Sequence, residues 1–242
     1  MSGRDEAEFD RFAEEYDILQ KENLGVFGKD LSLFSRYKVK LLRSQLNITP
    51  KTILEFGCGV GRNIPHLKTF FPHATLMGCD TSQKSLNLAS EHNPEASYSI
   101  ISKSSDLEAI YPEGADLILI TCVLHHIPSE EHTSWLKELH KVLNPGGAIA
   151  IFEHNPYNPV TRHIFNTCPY DADAQLLYPS QCKKVLSECG FDNLHLTYTL
   201  FFIWRTSFWE SIEKKLGWLP LGAQYCLIAR KAGKLLDSQC VC

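Results

Sequence analysis

The sequence predicts an α/β fold built on a mostly parallel sheet with helices on both faces, and three observations carry the prediction. From Thr52 onward, apolar stretches of strand length alternate with amphipathic stretches of helix length, which demands parallel strands joined by right-handed crossovers. The run Thr52-Ile-Leu-Glu-Phe-Gly-Cys-Gly-Val-Gly-Arg-Asn63 passes from a buried strand into a helix through glycines 57, 59 and 61. Asp80 then closes the next apolar stretch. A glycine bend and a carboxylate thus fall at the carboxyl ends of strands, where open α/β sheets bind ligands, and together they read as a nucleoside-cofactor cradle.

In chain order, residues 5 to 20 carry Phe9, Phe12, Ala13, Tyr16 and Leu19 on one stripe of an amphipathic helix. A second helix is expected from Leu31 to Leu46, ending at the turn of Asn47 to Lys51. Residues 1–48 read as a helical cap, and 49–242 as the α/β domain. Strands are assigned to 52–56, 74–79, 97–101, 116–121, 147–152, 194–202 and 223–230. The helix after the fourth strand repeats Trp135, Leu136, Leu139, Val142 and Leu143 at helical spacing, with Ser129 as its expected cap and Asn144-Pro-Gly-Gly147 as its stop. Ser180 to Cys189 forms a further helix closed by Gly190.

Two segments stand apart from this rhythm. The loop 153–173 follows the fifth strand and holds Glu153-His-Asn-Pro-Tyr-Asn-Pro-Val-Thr-Arg-His163, more hydrogen-bonding and aromatic side chains than a connector needs. The insertion 203–221 holds Trp204, Trp209 and Trp218 of the four tryptophans. Its Ile203, Phe208, Ile212, Leu216 and Leu219 form an apolar side, and Glu210, Glu213, Lys214 and Lys215 a solvated one. Three uses stand open for it: a wall of an acceptor pocket, a dimer or membrane-surface contact, or core packing.

Composition bounds the function. The 242 residues are 44% hydrophobic, enough for one sizeable core. A net charge of −4 and a pI near 6.2 give no general attraction to nucleic acid. No secretory signal or bilayer-length apolar run is evident, so a cytoplasmic location is expected. The nine cysteines are odd in number and several fall in predicted strands or helices, which favours reduced thiols. Cys240-Val-Cys242 is either a prenyl-acceptor ending or a frayed tail. No Cys-x-x-Cys or His-x-x-x-His pair is present, so no metal is expected.

The glycine spacing narrows the cofactor. A dinucleotide fingerprint would need a glycine where Arg62 stands, and Glu55 at the strand tip would repel a phosphate. A cationic or zwitterionic ligand fits better. Glu55-Phe-Gly-Cys-Gly-Val-Gly61 resembles the first motif of the class I S-adenosylmethionine-dependent methyltransferases. The resemblance continues through Gly78-Cys-Asp-Thr-Ser82, Ser105-Asp106, Ala115 to Pro128 and Leu143 to Phe152. It implies a Rossmann-like seven-stranded sheet with the last strand antiparallel, S-adenosyl-L-methionine as cofactor, and methyl transfer to an oxygen or nitrogen of a small, partly apolar molecule. The family's last two strands usually form a tight hairpin, so the insertion is a departure.

By the same resemblance, Glu55 orients the amino-acid end, while Gly57, Cys58, Gly59 and Gly61 admit the methionine portion. Asp80 with Thr81 takes the ribose, Ser105 and Asp106 the adenine, and Thr121 and Cys122 lie under the amine. Phe9-Asp-Arg-Phe-Ala-Glu-Glu-Tyr-Asp17 follows the family's capping segment, making Tyr16 either a cofactor contact or a core tyrosine.

On the acceptor side, the polar loop offers His154 as general base and Tyr157 and Arg162 as positioning groups, with Asp171 or Asp173 near the mouth. Alternatively, His154 and Asn155 only brace the loop. His125 and His126 lie in a segment often rich in histidine in similar enzymes. Two rival functions remain: an aminopropyl transferase, for which no paired acidic base is evident after the fourth strand, and a non-catalytic binding module.

Overall fold

The computed structural model describes residues 31–168, 171, 173–202 and 207–233. The capping segment with Tyr16, the start of the insertion with Trp204, and the terminal cysteines lie outside them. The described elements are α1 (Leu31–Gln45), β1 (Thr52–Phe56), α2 (Ile64–Phe70), β2 (Thr75–Asp80), α3 (Gln83–His92), β3 (Ser97–Ile100), α4 (Leu107–Ile110), β4 (Ala115–Thr121), α5 (His132–Val142), β5 (Leu143–His154), α6 (Pro159–Thr167), α7 (Pro179–Glu188), β6 (Phe191–Thr199), α8 (Ser207–Leu216) and β7 (Gln224–Lys231). No helix among the described residues is long and apolar enough to cross a membrane.

The seven strands form one sheet in the order β3-β2-β1-β4-β5-β7-β6, as the expected architecture requires. β1 pairs in parallel with β2 and β4, while β7 runs antiparallel to both β5 and β6. The chain winds outward from β1 in one direction and from β4 in the other. A crevice therefore opens where the loops after these two strands diverge.

Side-chain alternation explains why both faces are covered. Ile53, Leu117, Leu119, Ala148 and Ala150 join α1 and α2 in one buried cluster, while Leu54, Ile118, Ile120, Ile149 and Ile151 join α5 and α7 in the other. Neighbouring residues of each strand thus serve opposite cores, which a parallel sheet needs to be buried on both sides. On α5, Trp135, Leu136, Leu139 and Val142 all turn inward, each contributing about 1.5–3 kcal/mol by burial.

Four local expectations need correction. α5 begins at His132 after Glu131, and Ser129 does not cap it; the Ser129 hydroxyl turns instead to Glu130. Asn144 to Gly147 is not a separate stop, because β5 already begins at Leu143 and the segment is absorbed as an irregularity opposite Ala115 and Leu117. The sixth strand spans Phe191–Thr199 rather than 194–202, because Leu200 turns to a φ of 64° and gives its N–H to Glu213.

The fourth correction is Glu213, which is 2% exposed rather than solvated. Its Oε1 accepts from Tyr37 Oη at 2.5 Å, Thr199 Oγ1 at 3.0 Å and Leu200 N at 2.6 Å, tying α8 to α1 and the end of β6. Lys40 pairs with Glu210 at 2.5 Å on the rim of this contact. Trp209 packs against Phe202 with the ring planes tilted by 41°, but Trp218 remains 75% exposed.

Removing the carboxylate takes the acceptor from Tyr37 Oη, Thr199 Oγ1 and Leu200 N, although Thr199 Oγ1 can still donate to Tyr37 Oη at 3.1 Å. Glu213→Ala should lower the unfolding free energy by about 1–3 kcal/mol, and Glu213→Gln, which keeps an acceptor, by less. Urea denaturation checks this, and equal stability of the three proteins would contradict it.

Candidate functional site

The loop after β1 is shaped by the strand beside it. The N–H groups of Gly57 and Cys58 both donate to the Cys79 carbonyl, at 2.8 and 3.0 Å, so β2 holds the bend at its own carboxyl end. Gly57 has a φ of 70°, and a Cβ there would meet Val123 at 2.5 Å, so only glycine lets the loops after β1 and β4 touch. Gly59 has a φ of 51°, and among the described residues, its chain neighbours aside, no heavy atom lies within 4 Å of a Cβ position. The backbone is open there to an approaching ligand. Gly61 precedes α2, its carbonyl accepting from Ile64 N at 3.2 Å, and the Cys58 side chain is buried.

Asp80 spans the bend. Its Oδ2 accepts from Gly59 N at 2.8 Å and its Oδ1 from Ser82 N at 3.0 Å, while Ser82 caps α3 through Ser85 N. Thr81 is half-buried between them. Ser105 and Asp106 lie in a 3-10 turn, where Asp106 Oδ2 accepts from Ser102 N and Lys103 N at 3.4 and 3.2 Å. Both aspartates therefore organise the strand ends that would frame a nucleoside.

Glu55, buried at the tip of β1, forms the floor of the crevice. Its Oε1 accepts from Asn63 Nδ2 at 2.5 Å and from Thr121 Oγ1 at 3.4 Å, while Asn63 also donates to Thr121 Oγ1 at 3.0 Å. Burial pushes its carboxyl up to about 7, against the lowering pull of the Asn63 hydrogen bond. Cys122 follows with a φ of 55°, its N–H on the Phe152 carbonyl and its Sγ accepting from Gln224 Nε2 at 3.2 Å. Glu55 Oε2, Asn63 Oδ1 and Gln224 Oε1 are buried acceptors with no hydrogen-bond partner among the described residues. Such unmet acceptors fit a ligand that brings N–H donors, as the amino-acid end of S-adenosylmethionine does.

The acceptor-side residues divide into two groups. His154, at the end of β5, is half-buried, with its ring 5.1 Å from that of His125 and 5.8 Å from that of Phe165. Burial, and next the charge on His125, lower its pKa to about 4, leaving the ring neutral at neutral pH. Tyr157 is 48% exposed and edge-on to Tyr178, and Arg162 is exposed on α6. Neither makes a described contact with His154. Asp173 is exposed as well.

Asn155 braces the loop. Its Nδ2 donates to the carbonyls of Pro220 and Gly222 at 3.2 and 2.7 Å, and its Oδ1 accepts from Tyr157 N. Asn158 caps α6 through the N–H groups of Val160 and Thr161, and reaches the Leu221 carbonyl. The end of the insertion thus clamps the polar loop.

Sequence reasoning missed the cluster around His125. Its Nδ1 meets Glu153 Oε2 at 2.5 Å, and its Nε2 lies 3.5 Å from Asp171 Oδ1. His126 Nε2 lies 3.7 Å from the same oxygen. Burial opposes a charge on His125, but Glu153 and Asp171 outweigh it and raise the pKa to about 10. Burial and then His125 lower that of His126 to about 3. Burial alone would raise the Glu153 and Asp171 carboxyls, yet His125 holds both below their usual range. The available signal was the dipeptide His125-His126 followed by an acid closing the next strand.

Comparison with known proteins agrees with this fold. Residues 53–147 match a methyltransferase domain family. A ubiquinone biosynthesis O-methyltransferase of Coxiella burnetii is 24% identical over 70% of this chain and 75% of its own length. A trans-aconitate 2-methyltransferase of Methylobacterium nodulans is 31% identical over 69% of this chain and 65% of its own. A SAM-dependent methyltransferase from Archaeoglobus fulgidus shares the fold with a TM-score of 0.68 at 15% identity, over 89% of this chain and 99% of that one. Human N-acetylserotonin methyltransferase, solved with SAM, has a TM-score of 0.62 at 15% identity, over 95% and 57%.

Glu55 gives a pH prediction for the ligand-free protein. Its ordinary value is 4.5 and its folded value about 7, so the folded state keeps a proton that the unfolded state has lost. That contribution to stability is full below about pH 4.5 and lost as pH rises through 7, a change of about 3 kcal/mol. Glu55→Gln removes the titration, so it should gain stability on wild type by that order between about pH 5 and about pH 8. Denaturant unfolding at both pH values measures it; a pH-independent difference would contradict it.

Proposed function

Because the chain belongs to the class I S-adenosylmethionine-dependent methyltransferases, we propose that it transfers the cofactor's methyl group to an oxygen or nitrogen of a small, partly apolar molecule. The cofactor supplies a methyl on a positively charged sulfur that leaves as a neutral thioether in an in-line displacement, so the protein has chiefly to hold the reactants aligned and dry. The observation that carries the reading is the juxtaposition of unmet acceptors on Glu55 and Asn63 with the open backbone at Gly59.

Residue roles follow from that placement. Glu55, with Asn63 and Thr121 around it, receives the amino group; Gly57, Cys58, Gly59 and Gly61 line the methionine portion. Asp80, assisted by Thr81, accepts from the ribose hydroxyls, and Ser105 and Asp106 border the adenine. Cys122 and Gln224 close the floor toward the acceptor. Tyr16 is assigned to the covering segment. His154, neutral at working pH, takes or orients the acceptor's proton, while Tyr157 and Arg162 guide the acceptor at the mouth. The aromatic insertion serves as an outer wall through its hold on Asn155 and Asn158.

Two relatives support a small acceptor by their names alone: one is an O-methyltransferase of ubiquinone biosynthesis, the other a trans-aconitate 2-methyltransferase. Incubation with S-adenosylmethionine and panels of phenols, carboxylates and amines tests the proposal through release of adenosylhomocysteine. Release of methylthioadenosine instead would point to aminopropyl transfer.

Asp80→Ala should weaken cofactor binding by about 1–3 kcal/mol, the loss of charge-assisted hydrogen bonds. Calorimetry reads this directly, and unchanged affinity would remove the ribose role. His154→Ala should lower kcat while leaving cofactor affinity intact. Undiminished turnover would reduce that histidine to scaffolding.

A further inference from the structure

His125 and His126 leave β4 on a short 3-10 turn, and Asp171 approaches them from the loop beyond α6. The three offer ligand atoms that all lie within 4.8 Å of one another. We propose that His125, His126 and Asp171 bind a divalent transition-metal ion, zinc being the best fit, through three protein ligands and one position left for an oxygen donor.

Distance is the first argument. With bonds of about 2.1 Å, a tetrahedral ion separates its ligand atoms by roughly 3.4 Å. The two imidazole nitrogens stand 3.5 and 3.7 Å from Asp171 Oδ1, so small rotations bring all three to bonding distance. Two imidazoles with one carboxylate are the donor set of zinc and its first-row neighbours, whereas calcium and magnesium prefer all-oxygen shells.

Support around the ligands is the second argument. Glu153 Oε2 holds His125 by Nδ1, which leaves Nε2 to face Asp171. Glu153 is itself fixed, its Oε1 accepting from Val123 N at 3.1 Å and Leu124 N at 2.8 Å. A carboxylate behind a ligating imidazole fixes the ring and strengthens it as a donor. His132 does not compete: its Nε2 lies 2.8 and 2.9 Å from the carbonyls of Leu124 and Ile127, bracing the turn that carries the pair.

Burial is the third. The His125 and Glu153 side chains are each 1% exposed, and Asp171 12%, so two carboxylates are gathered with little water to screen them. A charged His125 offsets one of them, and a divalent cation that displaces its Nε2 proton offsets both. His126, at 22%, leaves a route to the open position. On the methyl-transfer reading, that position faces the acceptor and would take its oxygen; ion binding itself does not depend on that reading.

The test is titration of chelator-treated full-length protein with cobalt(II), followed by its visible spectrum, with zinc displacement by calorimetry. About one equivalent of cobalt should saturate intense bands of low coordination number, and zinc should abolish them. Asp171→Asn and His126→Ala should remove the bands, and Glu153→Gln should weaken binding about 10–100-fold. His195→Ala, exposed on β6, should leave the titration unchanged. Cofactor affinity, measured on each variant, reports that the fold is intact.

Absence of saturable bands in wild type, or bands that survive both Asp171→Asn and His126→Ala, would overturn the site and leave a metal-free histidine and carboxylate chain. Methyl transfer by metal-free protein that binds no cobalt would overturn this inference alone. Cobalt binding without methyl transfer would leave it standing and count against the proposed reaction.

Discussion

A carboxylate buried at a strand tip, with one oxygen unpaired among the described residues, is the constraint on which the crevice depends. Glu55 lies where β1 meets its glycine bend, with Asn63 and Thr121 gathered on one oxygen and no described partner for the other. Removing a carboxylate from water is costly unless charge or hydrogen bonds return what hydration supplied. Without a ligand the group compensates by holding a proton to about pH 7. A cationic amine would supply the missing partner and favour the ionised form, so ligand charge and strand-tip burial are matched.

The sheet creates that position by topology. β1 and β4 are neighbours whose following loops run to opposite sides, and Gly57 lets those loops meet at Val123. From the β2 side, Cys79 holds the bend and Asp80 ties Gly59 to the cap of α3. The proposed cofactor side is therefore braced by hydrogen bonds between adjacent strand ends. The proposed acceptor side is assembled differently, with Glu153, His154 and Asn155 at the end of β5 reaching to the turn after β4 and to the insertion.

Legibility in the sequence follows the same division. The fold was readable because its signals are local, and the residues assigned to the proposed cofactor side lie close together in sequence. Alternation of Ile53 and Leu54, or of Leu117 and Ile118, marks strands buried on both faces, and the glycine run with Glu55 and Asp80 lies within one βαβ unit. The contacts around the end of β5 were only partly readable. His125 finds Glu153 across 28 positions and Asp171 farther still, so no spacing rule could join them. Glu213 reads as the polar side of an amphipathic helix, yet it serves as the buried acceptor for donors on α1 and β6. Polar residues whose partners come from distant segments carry no periodic signal.

The most direct measurement of the central claim is a crystal structure of the protein with S-adenosylhomocysteine bound. The account predicts the ligand's amine within hydrogen-bond distance of the Glu55 and Asn63 group, its backbone passing Gly59, and its ribose diol on Asp80. A nucleoside lying outside the β1 and β4 crevice, or a bound ligand that leaves Glu55 Oε2 still without a partner, would contradict it.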